Sequence, residues 1–258
     1  MDSPAQILVS VIAHGRKKVD RAMLEKAVLG FVGGAMISIG YLLYVRVASS
    51  IAESLPSIAS LVGASVFPIG LIVILMGGGE LITSNMTAVS ASLYAKKVKF
   101  AELSGNWAVI TIFNLIGAFF VAFVFGHVVG LTSADPYKAE VIRVATVKFS
   151  ANWYQCILSG IGCNWLVGLA MWLCYGAKDA AGKLLAIWFP VMTFVAIGFQ
   201  HSVANAFIIP AAIFEGGATW AQFWMNFIFV YIGNILGGAL FVAGIYTVGF
   251  KREMNGKG

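Results

Sequence analysis

Charged residues are scarce in this chain. Asp, Glu, Lys and Arg make up 11% of its 258 residues, whereas soluble domains usually carry about 25%. None of the four occurs in six long runs, at 27–45, 54–79, 103–134, 149–177, 184–214 and 216–250. Each run approaches or exceeds the roughly 20 residues with which a helix crosses a bilayer. The sequence therefore predicts an all-α polytopic membrane protein with six transmembrane helices.

The chain also lacks the clusters that bind metals or form disulfides. Its three cysteines, Cys156, Cys163 and Cys174, lie in apolar sequence and form no C-x-x-C pair, so we expect small buried side chains. Its three histidines are scattered, without the paired spacing of a metal site. These absences count against an intramembrane enzyme, and we expect no metal, no cofactor and no catalytic residue.

Basic residues lie at the edges of the apolar runs and favour one side. Thirteen fall on the side that carries both chain ends, and the other side holds only Arg46, Lys138, Arg143 and Lys148. Because Lys and Arg are enriched in cytoplasmic loops, this asymmetry places both termini in the cytoplasm. The charges follow membrane edges rather than one soluble face, which argues against a nucleic-acid partner.

The N-terminal segment, 1–25, does not read as a secretory signal. Its apolar piece, Ile7 to Ala13, precedes Arg16, Lys17 and Lys18, which is the wrong order for a signal peptide. We expect an amphipathic helix at the membrane surface, with an unstructured polar tail as the alternative.

The six runs divide into two similar halves of three. We place the first repeat at 26–130, the second at 149–250 and a cytoplasmic tail at 251–258. Asn114 and Gly117 recur 120 residues later as Asn234 and Gly237. Thr83 and His201, 118 residues apart, mark polar interruptions in the second and fifth runs. Because three spans are an odd number, the second half is inverted, and interrupted helices of this kind mark a permeation site near the midplane.

The second run is followed by Glu80 and another uncharged stretch, 81–95, and a polar break at Gly77–Asn85 joins the two. This break holds three glycines and a carboxylate. Irregular backbone survives at membrane depth only if it is buried in protein or lines a cavity. The break therefore predicts the wall of a conduit. We expect Glu80 to accept hydrogen bonds from backbone N–H groups freed there. Pro68 and Pro190 kink or interrupt the second and fifth runs.

His201 and Lys148 are the candidate positive groups. His201 is the one histidine deep in an expected span, and a cation there needs stabilisation. We interpret it as functional rather than as a structural hydrogen-bonding residue. Lys148 precedes the fourth run. Its ammonium either extends to the lipid headgroups or faces inward and attracts anions.

Asn164 is a polar side chain in an apolar span, and it either bonds across helices or lines the route. Apolar residues bracket Thr83 and His201 in sequence, namely Phe67, Leu71, Leu81, Phe194 and Phe199. Apolar constrictions beside a polar site oppose bare ions by withholding hydration.

At these residues the chain resembles the formate/nitrite transporter family, over about residues 20–250. Leu75–Ser84 is similar to the first family signature, and Gly160–Ala170 to the second, although Gly168 replaces a commoner Cys. Gly198–Phe207 is similar to the broken fifth helix of the family, with Gln200 where a Glu usually precedes the His.

The resemblance implies an aquaporin-like fold of two inverted three-helix repeats with broken second and fifth helices. It also implies a homopentamer with one pore per protomer in the plasma (inner) membrane of a prokaryote. Thr83 and His201 would meet at the pore centre, with Asn164 and Asn205 nearby, and Lys148 would supply positive potential.

The resemblance also assigns supporting roles. Constrictions would be formed by Leu71, Leu81 and Phe194, and Phe67 would form the constriction on the periplasmic side. Ile82 stands where formate-type members often have Phe. Glu80 and Gln200, with Ser84 and Ser202, would support the two helix breaks. Gln200 removes a carboxylate beside His201, which disfavours a protonated imidazole.

The sequence thus predicts a channel or transporter for small monovalent anions of weak acids, namely hydrosulfide, nitrite or formate. The anion would cross either as such or after taking a proton. Ile82 and Gln200 favour hydrosulfide over a formate specialist, with nitrite next. A water or glycerol channel is the alternative, but the two Asn-Pro-Ala motifs of that class are missing.

Overall fold

The computed structural model describes residues 1–52 and 54–254. The helices within these ranges are α1 (Pro4–Asp20), α2 (Met23–Ala48), α3 (Pro56–Gly78), α4 (Ile82–Tyr94), α5 (Phe100–Val128), α6 (Tyr137–Phe149), α7 (Trp153–Gly176), α8 (Ala180–Ile197), α9 (Ser202–Phe214), α10 (Trp220–Gly249) and α11 (Lys251–Met254). Of the expected tail at 251–258, residues 255–258 lie outside the described ranges.

Six of these helices are long and apolar enough to cross a membrane, which confirms the prediction: α2, α3, α5, α7, α8 and α10. The third run is shorter than expected, and the fifth is broken as expected. The third ends at Val128 rather than at residue 134. The fifth, 184–214, is divided, because α8 ends at Ile197 and α9 begins at Ser202.

Two short helices, α4 and α9, form the centre of the fold. Residues 82–92 of α4 and 202–212 of α9 are all buried. Both are rich in Ala, Ser and other small residues, which allow neighbouring helices to approach closely on every side. These helices therefore place their polar side chains inside protein.

Glycines bring the long helices together in pairs. A Cβ added at Gly34 of α2 would lie 1.9 Å from the carbonyl oxygen of Asn114 in α5, and one added at Gly233 of α10 would lie 2.2 Å from that of Ile157 in α7. No larger residue fits at this spacing, so these glycines serve helix packing.

Helix α1 exists, but its apolar face is not left for lipid. Ile7, Leu8 and Val11 are buried in a cluster with Ala88 of α4 and Met171 of α7. Residues 4–20 therefore form a helix whose apolar side the bundle covers, and its position at the membrane surface stays a prediction.

The two halves share one order of elements. Helices α1–α5 and α6–α10 each comprise a shorter helix, two long helices, a short buried helix and a third long helix. Each half also turns into its short helix through a glycine of positive φ, Gly78 (φ 106°) and Gly198 (φ 89°), which are 120 residues apart. Only glycine adopts this conformation without strain.

Candidate functional site

Two asparagines hold the backbone at the two helix breaks. Asn114 Oδ1 accepts the backbone N–H of Ile82 (2.8 Å), and its amide donates to the carbonyls of Gly30 (2.7 Å) and Glu80 (2.8 Å). Asn114 thus satisfies two backbone groups that the break leaves without intrahelical partners, the N–H of Ile82 and the carbonyl of Glu80, and adds a bond to a carbonyl of the continuous helix α2.

Asn234 repeats this arrangement 120 residues later. It accepts from the N–H of Ser202 (2.9 Å) and donates to the carbonyls of Gly160 (2.9 Å) and Gln200 (3.1 Å). The sequence identified Asn114 and Asn234 only as a repeat signal, and their role in the breaks was missed.

A second matched network lies beside each break. In the first half, Asn85 donates to Glu80 Oε2 (2.9 Å) and to Asn106 Oδ1 (3.0 Å). In the second half, Asn205 donates to Gln200 Oε1 (2.8 Å) and to Asn226 Oδ1 (2.8 Å). Position 80 therefore corresponds to position 200, and the two networks differ in the charge of that residue.

The partners of Glu80 differ from the expected ones. Its carboxylate, 1% exposed, lies 2.9 Å from Lys18 Nζ and 3.0 Å from Arg21 Nε. We expected backbone N–H groups to donate to Glu80, but its partners are Asn85 and these two cations. The freed N–H of Ile82 donates to Asn114 instead. Glu80 thus ties the end of α1 to the break.

The repeat also corrects the expected pairing of His201 with Thr83. The residue that directly precedes α9 is His201, and the one that directly precedes α4 is Leu81, 120 residues earlier. Thr83 lies within α4 and corresponds to Val203. The sequence comparison had paired Thr83 with His201 at an offset of 118 residues, and these two positions are not equivalent in the repeat.

Thr83 and His201 nevertheless meet. Thr83 Oγ1 lies 2.9 Å from His201 Nε2, and both residues are buried. His201 Nδ1 accepts the backbone N–H of Ala204 (3.1 Å) and so caps α9. In the neutral ring the proton therefore resides on Nε2, which donates to the Thr83 hydroxyl.

A cavity of about 440 Å³ leads to His201 from the side of α6. Its inner part is lined by His201, Asn205, Phe67 and Phe194. The Phe194 ring stacks on the imidazole at a centroid distance of 6.0 Å, and the Phe67 ring packs edge-on against Phe194 at 5.9 Å. The two aromatic rings thus lie beside the imidazole in the lining of the cavity.

Lys148 lines the outer part of this cavity. Its Nζ donates to the carbonyl of Gly198 (3.1 Å), the exposed glycine of the second break. The side chain therefore faces the cavity. Burial lowers the pKa of Lys148 to about 8. At pH 7 the Lys148 side chain is therefore protonated in most molecules.

The remaining constriction candidates are apolar and mostly buried. Leu71, Leu81 and Ile82 are at most 1% exposed and belong to one core cluster with Phe67 and Phe194. Phe199 is half-buried at the cavity wall, where a Cβ on Gly162 would touch its ring.

Asn164 bonds across helices. Its amide donates to the carbonyls of Thr83 (3.2 Å) and Asn234 (2.7 Å), and its Oδ1 has no hydrogen-bond partner among the described residues. Ser84 and Ser202 were expected to support the breaks, but neither buried hydroxyl has a hydrogen-bond partner within residues 1–52 and 54–254. The backbone at the two breaks is bonded by Asn114 and Asn234 instead.

Comparison with known proteins identifies the family. The model of the family described as Formate/nitrite transporter matches residues 5–248. The chain belongs to the formate/nitrite transporter family. An uncharacterized transporter of Bacillus subtilis, YrhG, is 51% identical over 250 residues, which cover 97% of this chain and 94% of that protein.

Two further formate/nitrite transporter relatives carry a named substrate. The formate channel BtFdhC of Bacillus thuringiensis is 45% identical over 97% of this chain and 96% of its own length. A solved structure described as a pentameric formate channel with formate bound superposes with a TM-score of 0.78 at 27% identity, covering 89% of this chain and 98% of that chain. Neither is named for hydrosulfide, which the sequence alone had favoured.

Proposed function

We propose that this protein is a formate channel, in which Thr83 and His201 form the centre of one pore per protomer. The observation that carries the proposal is the hydrogen bond between these two residues at the inner end of a cavity that Lys148 lines. The names of the two formate-channel relatives support formate over hydrosulfide and nitrite.

An anion is first attracted to the mouth by Lys148. It then leaves bulk water between Phe67 and Phe194, which is costly for a bare charge. At the centre it meets the Thr83 hydroxyl. Because His201 Nε2–H donates to Thr83 Oγ1, the hydroxyl proton of Thr83 is free to donate to the anion. The N-termini of α4 and α9, next to Leu81 and His201, add positive potential there.

His201 acts in this proposal as a fixed hydrogen-bond donor. Its Nδ1 is occupied by the N–H of Ala204, so protonation of the imidazole requires loss of the α9 cap. Of the two routes that the sequence left open, passage of the anion as such is therefore favoured over passage after protonation by His201.

The assembly is a homopentamer in a prokaryotic plasma membrane, with both termini in the cytoplasm. The pentameric relative supports the number of subunits, and the excess of Lys and Arg supports the orientation. Lys148 and the cavity then face the periplasmic side.

Uptake of radiolabelled formate into proteoliposomes at pH 7 tests the proposal. We expect uptake well above that of protein-free liposomes, reduced by excess unlabelled formate. Competition by nitrite and by hydrosulfide ranks the three anions. Equal uptake with and without protein would overturn the proposed function, and stronger competition by hydrosulfide would reassign the substrate.

A further inference from the structure

A continuous series of aromatic rings lines the cavity, from Tyr44 through Tyr41, Phe67 and Phe194 to His201. Successive rings are in contact, at centroid distances of 5.6, 5.4, 5.9 and 6.0 Å in that order. Tyr41 therefore precedes the two phenylalanine rings on the side away from His201.

The hydroxyl of Tyr41 finds no partner among the described residues. Tyr41 is only 7% exposed, and its hydroxyl forms no hydrogen bond within residues 1–52 and 54–254. The oxygen keeps some accessible surface, and because the residue lines the cavity, that surface opens onto the cavity. A tyrosine hydroxyl in so buried a residue usually has a hydrogen-bond partner. The partner of Tyr41 is therefore to be found among what enters the cavity.

The ring that carries this hydroxyl is fixed by its neighbours. It packs against Tyr44, Phe67 and Phe207 of α9, the last at a centroid distance of 6.0 Å. Tyr44 is itself seated closely on α3, where a Cβ added at Gly63 would lie 2.5 Å from the Tyr44 ring. The hydroxyl of Tyr41 is thus presented to the cavity without the loss of rotamer freedom that a flexible donor incurs on binding.

The repeat does not account for a hydroxyl at this place. The carbonyls of Gly30 in α2 and Gly160 in α7 bond equivalent asparagines, so the two helices correspond at an offset of 130 residues. At this offset the residue equivalent to Tyr41 is Met171, which is buried in an apolar cluster. The hydroxyl therefore belongs to one half of the fold only.

We infer that Tyr41 is a specificity-determining residue: its hydroxyl donates a hydrogen bond to the permeating anion beside the two phenylalanine rings, and so favours oxygen-bearing anions over hydrosulfide. The inference rests on the proposed function, because the same cavity is the route of the anion. It adds a donor to those supplied by Lys148 at the mouth and Thr83 at the centre.

A donor at this point replaces hydration where the anion loses it. The rings of Phe67 and Phe194 offer no conventional hydrogen bond, and withdrawal of a charge from water is costly. Hydrogen bonds to charged groups are stronger than those between neutral groups, so one hydroxyl offsets part of this cost. Sulfur is a weak hydrogen-bond acceptor, and hydrosulfide therefore gains less from Tyr41 than formate does.

Tyr41→Phe tests the inference, because it removes the hydroxyl and keeps the ring. Initial rates of formate uptake into proteoliposomes at pH 7 should give a KM raised roughly tenfold, as expected for the loss of one hydrogen bond to a charged group. The inhibition constant of hydrosulfide against formate uptake should rise by less than about threefold, because sulfur accepts weakly. Thermal stability in detergent should not fall, since the hydroxyl bonds no described residue.

Tyr154→Phe is the matched control, because it removes the same hydroxyl outside the cavity. Tyr154 lies in the first turn of α7 and is 47% exposed. Its hydroxyl makes only a 3.5 Å contact with Asn152 Nδ2. Both constants should equal those of the unmodified protein.

Three outcomes would overturn the inference: an unchanged KM for formate in Tyr41→Phe, an equal rise in both constants, which would indicate a change in the shape of the passage, or the same changes in Tyr154→Phe. If Tyr41→Phe does not fold, Tyr41→Met carries the test, because it also lacks the hydroxyl and must change the ratio of the two constants in the same direction. Absence of uptake by the unmodified protein would instead refute the proposed function, on which the inference depends.

Discussion

Leu81 and His201 hold the same position in the two halves of the fold. Each directly precedes a short buried helix, 120 residues apart, yet one side chain is apolar and the other is an imidazole. The hydroxyl that meets the imidazole is supplied from within α4, by Thr83. A nearly symmetric scaffold therefore produces an asymmetric centre.

Replacement of His201 by Phe should reduce formate uptake by about tenfold, the factor that corresponds to about 1.4 kcal/mol. The change removes the donor to Thr83 and the cap of α9. Thr83→Ser is the control, because it keeps the hydroxyl and should retain most of the uptake. Unaltered uptake by His201→Phe would show that the anion passes elsewhere.

Replacement of Asn114 by Leu should destabilise the protein. It removes the partner of the N–H of Ile82 and of the carbonyl of Glu80, at about 1–3 kcal/mol for each unsatisfied group. The temperature of thermal unfolding in detergent should fall strongly. Ser104→Ala on the same helix removes only a hydrogen bond to the helix's own backbone. This variant should change the unfolding temperature little. Similar shifts for both would contradict this role of Asn114.

Uptake should depend on pH through Lys148. A lysine is cationic below its pKa, here about 8, and formate is anionic throughout the range considered. We therefore expect steady uptake between pH 6 and pH 7 and a decline as the pH rises through about 8. Lys148→Arg stays charged at high pH and should abolish the decline. If the decline persists in that variant, another group titrates.

Glu80→Gln should be strongly destabilising, by about 3 kcal/mol, because Lys18 then loses its partner in a buried site. Glu102→Gln is the matched substitution. Glu102 pairs with Arg16 at a partly exposed site, where such pairs contribute less than about 1 kcal/mol. Denaturant unfolding in micelles measures both. An equal loss of unfolding free energy in the two variants would mean that Glu80 is not held in an ion pair.

Gly34→Ala should disrupt the packing of α2 against α5, because the added Cβ would overlap the carbonyl of Asn114. Gly105→Ala is the control on α5, since a Cβ there meets no atom within 4 Å. Yield and thermal stability of the folded protein are the measurements. Tolerance of Gly34→Ala would show that the helices can separate without loss of stability.

The spans were predictable because a single physical requirement, a long apolar run, determines each of them. The division of the fifth run was also foreseen, from the polar residues at 198–205. The contact between Thr83 and His201 was correctly expected, although the repeat alignment behind it was wrong by two residues. A shift of this size leaves a hydroxyl and an imidazole near the same centre, which explains why the contact survived the error.

The partners of the polar residues could not be predicted in the same way. The sequence shows that Glu80, Asn114 and Asn234 interrupt apolar segments, but their partners lie up to 84 residues away. Several acceptors and donors compete at each break, and the choice depends on which groups the helices bring within 3 Å. The sequence therefore did not show that Lys18 and Arg21 at the end of α1 pair with Glu80.

The sequence by itself determined that this chain crosses a membrane six times, in two related halves with polar breaks, because uncharged runs must reach lipid and polar backbone must avoid it. Only the tertiary structure decided which side chains close those breaks and which cations pair with Glu80. Those outcomes depend on distances between segments far apart in the chain, and hydrogen bonds and ion pairs form only at short range.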